Sequence, residues 1–143
     1  MFERILVPTD GSDAMDPVVE YAVDLALESG AALHVVSVVD AVAADMEAPV
    51  DLVDGAFERQ ARDAVDAVRD RAVERGVVDV STTVARGRAH EEIVACAADR
   101  DVDLVVMGTH GRTGLNRYLL GSVAERVVRT APVPVLTVRV TED

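Results

Sequence analysis

Along this chain, short runs of apolar residues alternate with stretches whose apolar positions recur every three to four residues. Runs of the first kind suit strands and stretches of the second suit amphipathic helices. The alternation therefore predicts β/α units around a mostly parallel sheet, with five strands and four helices. The first strand spans Arg4 to Pro8. Ser12 or Asp13 then caps a helix ending near Gly30, with Val18, Ala22, Leu25 and Ala26 on its inward face and Pro17 in its first turn, where a missing N–H costs no intrahelical bond. The second strand, Leu33 to Val39, is almost continuously apolar, as a central strand covered on both faces should be.

Residues 41–51 lack periodicity, include Pro49 and are expected to form a loop. A long helix follows, with Val53, Ala56, Phe57, Ala61, Ala64, Val68 and Ala72 at helical spacing and Gly76 as its stop. The third strand alternates, with Val78, Val80, Thr82 and Val84 on one side and Asp79, Ser81 and Thr83 on the other, the pattern of a half-exposed edge. A third helix is expected from Ala89 to Arg100, a short fourth strand from Leu104 to Met107, a last helix from Ser122 to Thr130 and a fifth strand from Val133 to Val140. Pro132 and Pro134 cannot donate to a ladder, so that last strand belongs at a sheet edge. Val133, Val135, Leu136, Val138 and Val140 make this edge apolar, and it is either paired with another chain or covered by its own.

A chain of 143 residues, half of them apolar, is about one domain's worth and can bury a core unaided, so residues 1–143 are expected to form a single domain. No apolar run approaches the roughly 18 residues of a membrane span. The start of the chain does not read as a signal peptide, because Pro8 ends the apolar run after Ile5, Leu6 and Val7. Cys96 is the only cysteine, which excludes an internal disulfide and fits a reducing, cytoplasmic compartment. The charge balance narrows the partners further. Twenty-six acidic residues, 16 Asp and 10 Glu, face 14 basic ones, all Arg, and Lys is absent. A net charge of −12 repels nucleic acid and anionic membranes and strains the compact state through self-repulsion. Two readings remain open: a halophilic protein of a salt-rich cytoplasm, where at 1 M the screening length falls to about 3 Å, or an ordinary acidic protein from a GC-rich genome.

The densest chemistry lies between the fourth strand and the last helix. Gly108, Gly111, Gly121 and Ser122 occur there with the spacing Gly-x2-Gly-x9-Gly-Ser, and Gly114 adds a further glycine. A glycine-rich strand-to-helix loop lets backbone N–H groups approach an anion closely, and the following helix offers unpaired donors and a partial positive end. The spacing is neither that of a P-loop nor that of a dinucleotide fingerprint. Arg112 and Arg117 are the loop's fixed cations and either face phosphate or water. Ser122 also begins Ser122-Val-Ala-Glu125, which fits a capping box.

This spacing, together with Val7-Pro-Thr-Asp10 at the end of the first strand, resembles the ATP-binding branch of the universal stress protein family over essentially the whole chain. The resemblance implies a Rossmann-like α/β fold, a single open parallel five-stranded sheet with helices on both faces and strand order 3-2-1-4-5. That order places strands one and four side by side at a switch point, where such sheets bind ligands. The resemblance further implies that Asp10 accepts hydrogen bonds from ribose hydroxyls and that adenine lies near Val38 and Val39 in a groove also lined by Pro8 and Thr9. The phosphates would lie over Gly108, His110, Gly111, Arg112, Gly121, Ser122 and Val123. Asp10 equally suits a turn role in Asp10-Gly11-Ser12. The cofactor so implied is ATP, with any Mg²⁺ or Mn²⁺ held mainly by phosphate oxygens and by Asp10. The resemblance also implies an isologous homodimer through the last strand.

His34, His90 and His110 come from separate segments without metal-ligand spacing, so no built-in metal site is expected. His34 is expected to pack in its strand, His90 to sit in the first turn of its helix, and Cys96 to be a small core residue. Three functions follow: a nucleotide-binding regulatory module of stress adaptation with at most slow ATP hydrolysis, a nucleotide-independent dimeric interaction module, or an enzyme. The last fits least, because rapid phosphoryl transfer needs a cationic clamp and a group that orients the nucleophile, and neither can be assigned.

Overall fold

Residues 2–40, 55–109 and 121–140 are described by a computed structural model. The expected loop over 41–51 and Val53 lie outside these residues, as do His110, Gly111, Arg112, Gly114 and Arg117. The elements follow the predicted alternation: β1 (Arg4–Pro8), α1 (Asp16–Ser29), β2 (Ala32–Asp40), α2 (Ala56–Arg75), β3 (Val80–Gly87), α3 (Ala89–Asp99), β4 (Leu104–Gly108), α4 (Ser122–Thr130) and β5 (Val135–Val138). All ladders are parallel, and the strand order is β3-β2-β1-β4-β5.

Strand pleating divides the apolar residues between two cores. Ile5 and Val7 of β1, with Leu33 and Val35 of β2, pack with Val18 and Val23 of α1 and Val65 and Ala72 of α2. Leu6 and Val36 point to the other face, where they meet Ile93 and Ala97 of α3 and Ala124 and Val127 of α4. Helices therefore cover both faces, and the continuous apolar runs of β1, β2 and β4 reflect burial on both sides. Arg71 and Arg75 of α2 tie it to α1 through Asp16, Glu20 and Asp24 at 2.7–3.8 Å. These pairs are exposed and weakened by solvent screening, so the buried seam rather than the charges joins the helices.

Several boundaries differ from expectation. Neither Ser12 nor Asp13 caps α1: Ser12 precedes a 3-10 turn (Asp13–Met15) without a side-chain cap bond, its hydroxyl turning back to Asp10, and α1 begins at Asp16 with Met15 before it. Leu25 is only partly buried. The third strand starts at Val80 because Gly76 ends α2 in a left-handed conformation, donating to Val73, while the Val77 N–H donates to the Ala72 carbonyl at 3.0 Å. This Schellman closure seats Val77 in the core and turns Val78 outward, where it is 98% exposed. The fifth strand is shorter than expected. It lies at the edge, but Val138 and Val140 are buried in the chain's own core and Val133 and Val135 are partly buried, so Leu136 is the exposed apolar residue of the five.

Gly76 has φ +111, and a Cβ there would stand 3.7 Å from Leu27 Cδ2, an ordinary contact. The penalty for a side chain is thus backbone strain alone. Gly76→Ala should cost about 1–2 kcal/mol, read as a lower denaturant midpoint with an unchanged slope.

Candidate functional site

The β1–β4 ladder pairs Ile5 with Leu104 and Leu6 with Val105 and then stops, although β1 continues to Pro8 and β4 to Gly108. On their outer sides both strands stay paired to their ends, Pro8 with Val36 and Gly108 with Val138. The two central strands thus part at their carboxyl ends, at the switch point of a doubly wound sheet, which is where ligands of such sheets bind.

On the β1 side the chain leaves as an ordered turn. The Thr9 N–H donates to the Val36 carbonyl at 2.9 Å, and Thr9 Oγ1 accepts from the Gly11 N–H at 3.1 Å. Asp10 Oδ1 accepts from the Ser12 N–H at 2.9 Å and from its hydroxyl at 2.6 Å. Gly11 takes φ +80, which its lack of a Cβ permits. Asp10 therefore has the turn role available from its sequence. The same bonds hold its carboxylate at the strand end.

On the β4 side the organising residue is Thr109. Its N–H donates to the Val138 carbonyl, its carbonyl accepts from the Gly121 N–H at 2.7 Å, and its hydroxyl accepts from the Val140 N–H at 3.1 Å. The exit of β4 is thereby fastened both to β5 and to the start of α4, which sets Thr109 beside Gly121. The sequence reading passed over Thr109; the available signal was a hydroxyl residue immediately after Gly108, inside the glycine spacing.

Gly121 occupies the N-cap position of α4 with φ −65 and ψ 159, an extended conformation open to any residue. Neither Gly108 nor Gly121 has positive φ, so what glycine supplies there is the absence of a Cβ. The Ser122 capping box does not form. Glu125 N–H donates to the Gly121 carbonyl at 2.9 Å, and the Glu125 carboxylate turns along the helix to Arg129 at 2.6 Å. Ser122 is instead the first helical residue. Gly121 has no side chain to cap with, which leaves the positive end of α4 uncovered by its own N-cap.

Pro8, Thr9, Asp10, Val38, Val39, Gly108, Gly121, Ser122 and Val123 all stand at the carboxyl ends of β1, β2 and β4 or at the start of α4. Val39 packs against Ala61 on one face of β2 and Val38 against the other core, so β2 presents backbone between two engaged side chains. Among the described residues no His, Cys, Asp and Glu cluster has metal-holding geometry. His90 lies in the first turn of α3. Cys96 is partly buried against the second core, and burial pushes its thiol pKa up. His34 is buried, with Nδ1 2.6 Å from Ser81 Oγ and Nε2 2.7 Å from Thr83 Oγ1. Desolvation, aided by the Arg100 guanidinium, lowers its pKa from 6.5 to about 4. None of these three stands at the carboxyl ends of β1, β2 or β4 or at the start of α4.

Residues 1–139 match the sequence profile of the universal stress protein family. The universal stress protein MJ0531 of Methanocaldococcus jannaschii is 38% identical over 142 residues, 97% of this chain and 83% of the relative. The solved structure of MJ0577 from the same organism superposes with a TM-score of 0.86 at 28% identity, covering 100% of this chain and 99% of the other. A universal stress protein crystallised in complex with cAMP superposes at 0.76, again with 28% identity, covering 98% and 99%.

Proposed function

This chain belongs to the universal stress protein family, and from that premise we propose that it is a regulatory module holding an adenine nucleotide, ATP, in the cleft between β1 and β4. The observation that carries the reading is the early end of the β1–β4 ladder, flanked by Pro8-Thr9-Asp10 on one side and by Gly108 and the Gly121-Ser122 helix start on the other. The residues present fit the ligand. The α4 N-terminus faces a phosphate tail with amides of Ser122 and Val123 and with no Cβ at Gly121. Asp10, an acceptor held in place by its turn, suits ribose hydroxyls. The backbone at Val38 and Val39 suits a flat base. A relative with bound cAMP supports an adenine nucleotide as the ligand class. His110, Gly111, Arg112 and Gly114 complete the proposed phosphate contacts, and any Mg²⁺ or Mn²⁺ enters with the nucleotide, held by its phosphates and Asp10.

Binding rather than turnover is the proposed activity. With no Lys anywhere in the chain, the cationic clamp of phosphoryl transfer falls to arginine alone, and no group is assigned to orient water. The bound state is read out through a homodimer built on the β5 edge, where Leu136 is exposed. Denaturing the purified protein and identifying what it releases by mass spectrometry tests the ligand directly. An adenine nucleotide is expected; release of none, from protein that also fails to bind added ATP, refutes the reading and favours a nucleotide-independent interaction module.

We also assign the working environment to a salt-rich cytoplasm, on the net charge of −12. Self-repulsion is then muted only at high ionic strength, so dialysis from molar KCl into dilute buffer should lower the melting temperature steeply. A melting temperature independent of salt assigns the acidic surface to composition alone.

A further inference from the structure

At the amino edge of the sheet, opposite the carboxyl-edge cleft, a surface hollow of about 490 Å³ opens where α1 and α2 end and β1, β2 and β3 begin. Both helices end in the same way. Gly30 and Gly76 turn left-handed, and the next residue donates back into the helix, Ala31 to Ala26 and Val77 to Ala72. These closures bring Leu27, Val77 and Val78 into one concave wall. Val77 is buried beneath it, whereas Leu27 is 39% and Val78 98% exposed. Isolated exposed aliphatic residues are common on protein surfaces, but a concave apolar group is the form that accepts a side chain from elsewhere.

Carboxylates share the hollow with this wall. Glu3 and Asp79 line the hollow, exposed Glu28 follows Leu27 on the chain, and Asp103 is fastened alongside by the backbone N–H groups of Glu3 and Arg4 at 2.8 and 3.3 Å. Among the described lining residues Arg4 is the one cation. These carboxylates select the occupant. A second copy docking through the same surface would set the same carboxylates against them at close range, and an anionic lipid surface or nucleic acid would meet the same local repulsion.

We infer that this hollow docks a basic polypeptide segment, an aliphatic side chain seating against Leu27, Val77 and Val78 while flanking Arg or Lys residues pair with Glu3 and Asp79. The surface is at the opposite edge of the sheet from the nucleotide cleft, so it is occupied independently of that site. It offers a route by which a partner binds the module without contacting the nucleotide.

The test is a nuclear magnetic resonance titration of the full chain with two short synthetic peptides, one carrying adjacent leucines between arginines and the other the same leucines between glutamates. The arginine peptide should shift the amides of Leu27 and of Gly76 to Asp79, and the glutamate peptide should leave them unmoved. Val78→Ser, which removes the apolar contact without adding charge, should weaken the arginine peptide about tenfold without lowering the melting temperature, since the side chain is already 98% exposed, while Val78→Leu should bind at least as well as the parent. Absence of shifts with the arginine peptide, equal response to both peptides, or parental affinity in folded Val78→Ser overturns the assignment.

Discussion

Gly121→Asp should abolish nucleotide retention while leaving the fold as stable as before, or slightly more so. The backbone at Gly121, φ −65 and ψ 159, accepts any side chain, and the position is the N-cap of α4. Asp is among the preferred N-cap residues and exceeds Gly there by a few tenths of about 1 kcal/mol, so neither chain geometry nor helix stability opposes the change. The ligand does oppose it. A carboxylate at this position satisfies the helix donors that a phosphate would use and sets a negative charge against a polyanion. A loss of at least about 100-fold in affinity, equivalent to about 2.7 kcal/mol, is expected. Equilibrium dialysis with labelled ATP measures the loss, and a thermal melt of the same sample measures the fold. Gly121→Asn caps comparably without the charge and should lose less, which separates electrostatics from bulk. Parental affinity in folded Gly121→Asp places the nucleotide elsewhere.

The second large effect is a pH dependence of stability carried by His34. Neutral, its ring donates through one nitrogen and accepts through the other, which satisfies both Ser81 and Thr83. Protonation makes both nitrogens donors and places a cation in a buried site near Arg100, whose Nη2 lies 3.4 Å from Thr83 Oγ1. The folded-state pKa, about 4, lies below the ordinary histidine value of 6.5, so between these values the unfolded chain binds more protons than the folded one. Stability from this group is therefore full above pH 6.5, falls as pH drops from 6.5 to 4 and changes no further below. The expected loss across the window is about 3 kcal/mol. Subtracting the His34→Gln profile from the parental one isolates it from the carboxylates: the difference should slope between pH 6.5 and 4 and be flat above. A difference without slope removes His34 as the cause.

The fold was legible from the chain because burial on both faces imposes near-continuous apolar runs on β1, β2 and β4, while α2 shows helical spacing and a glycine stop. Strand order came only from the family resemblance that the glycine spacing and Val7-Pro-Thr-Asp10 carry, since apolarity does not say which strands are neighbours. What escaped sequence reading depends on turn geometry and register. Val78 continues the alternation of β3 in sequence, yet the Schellman closure at Gly76 takes Val77 into the core and ejects it. Ser122 and Glu125 have capping-box spacing, but α4 starts one residue earlier than that box requires, with Gly121 as N-cap. The partners of His34 follow from the parallel register that sets it beside Ser81, a pairing across 47 residues that local pattern does not encode. In the candidate cleft, both motifs were readable as residues. The bonds by which Thr109 joins β4, β5 and α4 became visible only with the strands in place.

The most direct measurement of the central claim is a crystal structure grown with saturating ATP in molar KCl. The account predicts the base beside the Val38 and Val39 backbone, the ribose on Asp10 and the phosphates over Gly108 and the amides of Ser122 and Val123. Nucleotide bound away from the β1–β4 switch point, or a well-ordered structure in which that cleft takes up none, would contradict it.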